Sequence, residues 1–130
     1  KDKHGKVKDT REVNNLVVDT GLAFIASRMK DASATAMSHM GIGTGTSAAA
    51  SSDTALGTEA ARVALTSTTV TSNAVAYVAS FAAGSGTGAI TEAGILNGAS
   101  GGTLLCRTVF SVVNKASSDS MTITWTVTIS

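Results

Sequence analysis

The clearest pattern in the chain is at its end, where Met121, Ile123, Trp125, Val127 and Ile129 alternate with Thr122, Thr124, Thr126 and Thr128. Side chains of a strand point alternately to its two faces, so this spacing predicts a half-buried antiparallel strand, apolar on one face and threonine on the other. A second alternation sets Val75, Tyr77, Ala79 and Phe81 against Ala74, Ala76, Val78 and Ser80. Both sets are fairly apolar, which predicts a strand interior to a sheet and covered on both faces. One stretch carries a helical period: Leu22, Ile25, Ala26 and Met29 fall at i, i+3, i+4 and i+7. That spacing predicts a helix over about 20–31 with those residues on one buried face. Asp19 or Thr20 is placed to cap its first turn, and Arg28 and Lys30 suit its last.

Further strands are expected at Met37–Ile42, Arg62–Val70, Ala89–Leu96 and Leu104–Val113. Residues 43–53 and Gly84–Gly88 read as glycine- and serine-rich loops, the first of them flexible, and Asp53 or Thr54 could cap a single helical turn before Gly57. Gly94 lies inside its strand, where a bulge is the usual cause. Ser72-Asn73, Asn97-Gly98 and Gly101-Gly102 mark turns. One helix and six or seven strands, with turns every eight to twelve residues, predict a mainly β chain: an antiparallel β-sandwich or jelly-roll-like domain over 15–130 with one N-terminal α-helix. The expected core anchors are Leu22, Ile25, Met29, Phe81, Ile123, Trp125 and Val127.

Residues 1–14 differ from this body. The first twelve hold five basic and three acidic residues, and Val7 is the only apolar side chain before Val13. This segment is a charged hairpin or extended arm, either solvated at a sheet edge or pairing with the sheet of a neighbouring subunit. Elsewhere charge is sparse: 15% of the 130 residues are charged, and the net charge is +1. Such a surface is weakly defended against association, which points to contact with other protein; the alternative is an ordinary sandwich surface of threonine and serine. A net charge this small creates no field that attracts nucleic acid or an anionic membrane. Only 4% of residues are aromatic, too few to wall a deep ligand pocket. The lone cysteine, Cys106, sits among apolar neighbours and reads as a buried small hydrophobe. No long apolar run or leader pattern is present, so synthesis in a reducing cytoplasm is the expectation.

Candidate chemistry is thin. Gly41-Ile-Gly-Thr-Gly45 begins like a dinucleotide fingerprint, but Thr46 stands where the third glycine is required. No Gly-Lys-Ser/Thr phosphate loop exists. His4 and His39 lack partners at metal-ligand spacing, and Ser38-His39 lacks the glycines of a nucleophile elbow. Asp53, Glu59 and Glu92 read as scattered acids in separate loops, with Glu59 and Arg62 paired across one turn. Trp125 and Tyr77 could stack on a sugar ring, yet both sit in alternating strands where core burial is the default. The expectation is no enzyme, no cofactor, no metal and no small-molecule substrate.

Three short stretches follow one another: Gly41-Ile-Gly-Thr-Gly45, then Leu56-Gly-Thr-Glu-Ala-Ala-Arg62, then Thr91-Glu-Ala-Gly-Ile95. In that order they resemble the module of phage tail-collar fibre proteins, and the chain from about Asn15 to Ser130 is similar to small virion proteins of tailed bacteriophages. The chain stops at the module, without a fibre or receptor-binding extension. The resemblance implies a structural subunit of the virion, first a capsid cement or decoration protein on the capsid surface, and otherwise a tail-collar or fibre-base subunit. It implies as partners the major capsid protein and further copies of this chain, without nucleic acid or membrane. A small carbohydrate-binding module is the reading from another class. The arm residues Lys3, Lys6, Val7, Lys8 and Arg11, with Thr44, Thr46, Ser47, Ser85 and Thr87 of the two glycine loops, are the candidate interface.

Overall fold

The threonine-alternating segment forms strand β8, Met121–Thr128, and pairs residue for residue with β5, Ala74–Phe81. Trp125 lies opposite Tyr77, Ile123 opposite Ala79 and Met121 opposite Phe81, so one face of the pair is a continuous apolar surface. Ile129 falls beyond the strand and is exposed, so the buried alternation ends at Val127. This computed structural model describes residues 1–30 and 34–129. Positions 31 and 130, the ends of the expected helix and of the expected domain, lie outside the described residues.

The remaining elements are β1 (Leu16–Val17), α1 (Asp19–Lys30), β2 (His39–Gly43), β3 (Glu59–Ala64), β4 (Ser67–Thr71), β6 (Gly88–Leu96) and β7 (Leu104–Lys115). They form two antiparallel sheets, a five-stranded one in the order β1-β7-β6-β2-β3 and a three-stranded one in the order β4-β5-β8. Met40, Ile42, Ile90, Ala93, Ile95 and Cys106 of the larger sheet meet Tyr77, Ala79, Phe81, Trp125 and Val127 of the smaller one in a single core. The fold is mainly β and β-sandwich-like, with one short helix.

Several local expectations are corrected. The stretch Arg62–Val70 is not one strand: the chain leaves the larger sheet at Ala64 and enters the smaller one at Ser67, with Leu65 packed against the core between them. Strand β5 is interior to its sheet but covered on one face only; its other face bears small side chains beside the exposed threonines of β8. Gly94 is not at a bulge. It pairs in register with Gly41 and Arg107, and the irregularities of β6 against β7 lie between Ile90 and Glu92 and between Ile95 and Leu96. No helical turn precedes Gly57; Ala50 to Asp53 form a hydrogen-bonded turn instead.

Helix α1 is turned differently from its apolar spacing. Leu22 and Met29 are 55% and 85% exposed, and the buried side runs through Gly21, Phe24 and Ile25. The cause is the approach of the helix to β7: a Cβ at position 21 would overlap the Leu105 carbonyl. Only glycine permits that contact, and it selects the face one position away from the more apolar one. The helix starts at Asp19, so Asp19 and Thr20 lie inside its first turn instead of capping it, and the Thr20 hydroxyl donates to the Leu104 carbonyl at 2.8 Å.

The arm lies back along its own body. Asp2 and Lys6 close a turn, Lys1 and Ser120 exchange backbone hydrogen bonds, and Lys8 Nζ reaches Asp119 Oδ2 at 2.7 Å. Arg11 donates to the carbonyls of Ser111 and Val112, and the Thr108 hydroxyl to that of Asn14.

Two outcomes test this packing. Gly21→Val should cost about 1–3 kcal/mol in urea unfolding through overpacking, whereas Met29→Ser should stay within ~0.5 kcal/mol. Trp125→Asp should cost more than ~4 kcal/mol, since it places a carboxylate between the sheets; a Trp125→Asp chain as stable as the parent contradicts the register of β8.

Candidate functional site

Glu92 stands in the middle of β6 on the face of the larger sheet that turns away from the sandwich core, beside Gly94 and diagonal to Arg107 on β7. Its side chain is fully buried, and that of Arg107 is 2% exposed. An ionised carboxylate without water must find its full complement of donors within the protein. Here the loop between β2 and β3 supplies them. Glu92 Oε2 accepts from the amides of Gly45 and Thr58, each at 2.7 Å, and Oε1 from the amide of Gly57 at 2.7 Å and from Arg107 Nε at 3.0 Å. Arg107 is equally committed: Nη1 binds Asp53 Oδ2 at 2.9 Å and Nη2 the Ser47 carbonyl at 3.1 Å. The Thr91 hydroxyl holds the carbonyl of Gly45 at 2.7 Å.

The glycines of Gly41-Ile-Gly-Thr-Gly45 acquire a meaning from this geometry. A Cβ on Gly45 would fall onto the Glu92 carboxylate. One amide of the motif, that of Gly45, does bind an anion, but the anion is a side chain of the same chain. The connection 44–58, of which residues 43–53 were expected to be flexible, is therefore pinned across the sheet. Glu92, Glu59 and Asp53 are likewise not isolated acids in separate loops. Glu92 and Asp53 share Arg107, and Glu59 pairs with Arg62 through two contacts of 2.7 and 2.8 Å. That second pair forms across an irregularity in β3, where Gly43 faces Glu59 and Ile42 faces Ala61, and not across a helical turn. The extra residue brings positions three apart onto one side. Arg62 also holds the carbonyls of Gly98 and Gly101.

Burial pushes the Glu92 carboxyl up, but the amides of Thr58, Gly57 and Gly45 with the Arg107 guanidinium outweigh it and hold the group below its ordinary value. Asp53 is lowered by the Ala50 amide, against desolvation and with help from Arg107. A carboxylate held ionised with both oxygens occupied has no role left as an acid or base, so the cluster is a clamp. Burial raises the Cys106 thiol to about 12, which removes it as a nucleophile near neutral pH. Ser38 Oγ and His39 Nδ1 are 2.8 Å apart, as adjacent residues at the start of β2. Among the described residues no group of three or more His, Cys, Asp or Glu is placed to hold a metal ion, and no helix is long and apolar enough to cross a membrane.

The candidate interface residues do not form one patch. β2 exits and β6 enters at the same end of the larger sheet, but the loop after Thr44 folds back over the sheet, so that Ser47 lies on Arg107 and Thr46 beside Asn14 and Thr108, apart from the Ser85 and Thr87 loop at the entry to β6. β7 also ends there, Lys115 opposite Gly88, and carries the docked arm with Lys8 at Asp119. Thr44, Thr46, Ser47 and Thr87 are exposed and Ser85 is half-buried. Lys3, Lys6 and Val7 are exposed, while Lys8 and Arg11 hold groups of their own body. Sequence reasoning missed Lys115, a buried lysine whose Nζ ties the carbonyls of Ala82 and Asp119 and so joins two of these loops. Trp125 and Tyr77 lie between the sheets, so neither ring is offered at the surface.

Removing one member of a buried charge pair strands the other, so Glu92→Gln and Arg107→Met should each cost about 3–5 kcal/mol, and the double variant less than their sum. Because Glu92 and Asp53 are depressed in the folded state, their stabilisation is present above their ordinary values of 4.5 and 3.8 and is lost as pH falls through the folded-state values. Urea unfolding as a function of pH should show this acid loss in the parent and a flatter profile in Glu92→Gln.

No family model, curated protein or solved structure matches this chain.

Proposed function

We propose that the chain is a non-catalytic structural subunit of a tailed-bacteriophage particle, a cement or decoration subunit on the capsid surface that binds the major capsid protein and further copies of itself. The observation that carries this reading is the smaller sheet. Not one residue of β4, β5 or β8 is charged. Its outward face is Thr122, Thr124, Thr126 and Thr128 of β8, small side chains of β5, and Ser67, Thr69 and Thr71 of β4. A flat uncharged face of short side chains loses little rotamer entropy when covered and strands no charge, which suits contact with protein. The pinned loop 44–58 complements it, because a surface already fixed in shape spends less free energy on ordering when it binds.

The stretches that carry the resemblance to phage virion proteins are the residues that build the Glu92 clamp and its surroundings. They speak for a shared scaffold. Catalysis has no support in the Glu92–Arg107 pair, whose carboxylate oxygens and guanidinium nitrogens all have partners.

Imaging of particles that contain the chain should find many copies spread over the shell. A few copies at the tail would replace this reading with the tail-collar one, and absence from particles would end both. Thr124→Glu with Thr126→Glu should unfold within ~1 kcal/mol of the parent yet bind particles far less well; undiminished binding removes the threonine face from the interface.

A further inference from the structure

The two sheets expose four edges, and two of them are guarded by short length or charge. β1 is only two residues long. β3 carries Glu59 and Arg62. β8 is uncharged and eight residues long, but its core-facing Trp125 and Val127 are already buried in the sandwich and ask for no further cover. Short length and charge are the usual defences of an edge against pairing with another chain. β4 has neither. It is five residues long, pairs only with β5, contains no charge or proline, and is exposed throughout. Val70 pairs with Val75, which packs against the core, so Val70 stands on the core-facing side of its sheet; yet it is 70% exposed, because β4 overhangs the larger sheet.

We propose that β4 pairs antiparallel with β4 of a second copy of this chain about a two-fold axis. An edge strand offers alternate backbone N–H and C=O groups outward, and an extended strand is the ligand that satisfies them. A two-fold pairing sets each residue against its symmetry counterpart, so any charge near the axis would meet its own sign; Ser67–Thr71 has none. Centred on Thr69, the pairing puts Thr69 against Thr69 of the second copy, Ser67 against Thr71, and Thr68 against Val70, which covers both exposed valines. The outcome is one continuous sheet of twice the width, with its threonine face unbroken. An edge of five residues buries far less than the ~800 Å² per partner of a stable interface, so the pair is weak and forms where copies are concentrated. This association goes beyond the particle assignment and is measured on the purified chain, so either can fail without the other.

Sedimentation velocity from about 10 μM to about 1 mM, the local concentration reached by adjacent tethered sites, is the test. The parent should shift from monomer toward dimer across that range. Thr69→Lys should stay monomeric, and Thr124→Lys, on the same face but away from the edge, should dimerise as the parent does. Hydrogen exchange of the β4 amides in the parent should slow at the upper concentration while that of β3 does not change, which reads the pairing without any variant. A parent that stays monomeric, a Thr69→Lys chain that dimerises normally, or β4 exchange independent of concentration would each overturn the proposal.

Discussion

A buried carboxylate that stays ionised dictates the course of everything around it. Glu92 has no access to water, so the chain must deliver donors to both of its oxygens. Three come from backbone amides of the connection between β2 and β3, and the rest from Arg107. Lifting that connection off the sheet would leave Glu92 without those amides and Arg107 without Ser47 and Asp53. An ordinary surface loop opens at little cost; this one opens only by stranding charge, and so has the rigidity of the sheet beneath it.

The molecule is layered by chemistry. Ions and glycines occupy the outer face of the larger sheet, aliphatic and aromatic side chains fill the centre, and threonine without charge covers the outer face of the smaller sheet. The first layer fixes shape, the second supplies most of the stability, and the third leaves an exposed face without charge. The proposed structural role is built on this division.

How much of this was legible in the sequence depended on whether one period dominated a segment. β8 was readable because apolar and threonine positions alternate strictly up to Val127. α1 was readable as a helix but only partly in its orientation: of the stripe Leu22, Ile25, Ala26 and Met29 only Ile25 packs against the core, and Gly21, which decides the docking, carries no hydrophobic signal at all. The passage from β3 to β4 was hidden because Leu65-Thr66 lacks any glycine or proline to mark a change of sheet. The clamp left a usable trace that went unread. Glu92 lies between Ile90 and Ile95, and Arg107 between Leu105 and Val109. Single opposite charges in two neighbouring apolar strands imply a buried pair, and a Gly-x-Gly stretch nearby supplies the amides to complete it.

Native-state hydrogen exchange at the amides of Gly45, Gly57 and Thr58 tests the clamp most directly. These three should exchange as slowly as the core amides of β6, with opening free energies close to that of global unfolding. Exchange at the rate of a fraying loop, while β6 remains protected, would contradict the claim that Glu92 binds this segment to the sheet.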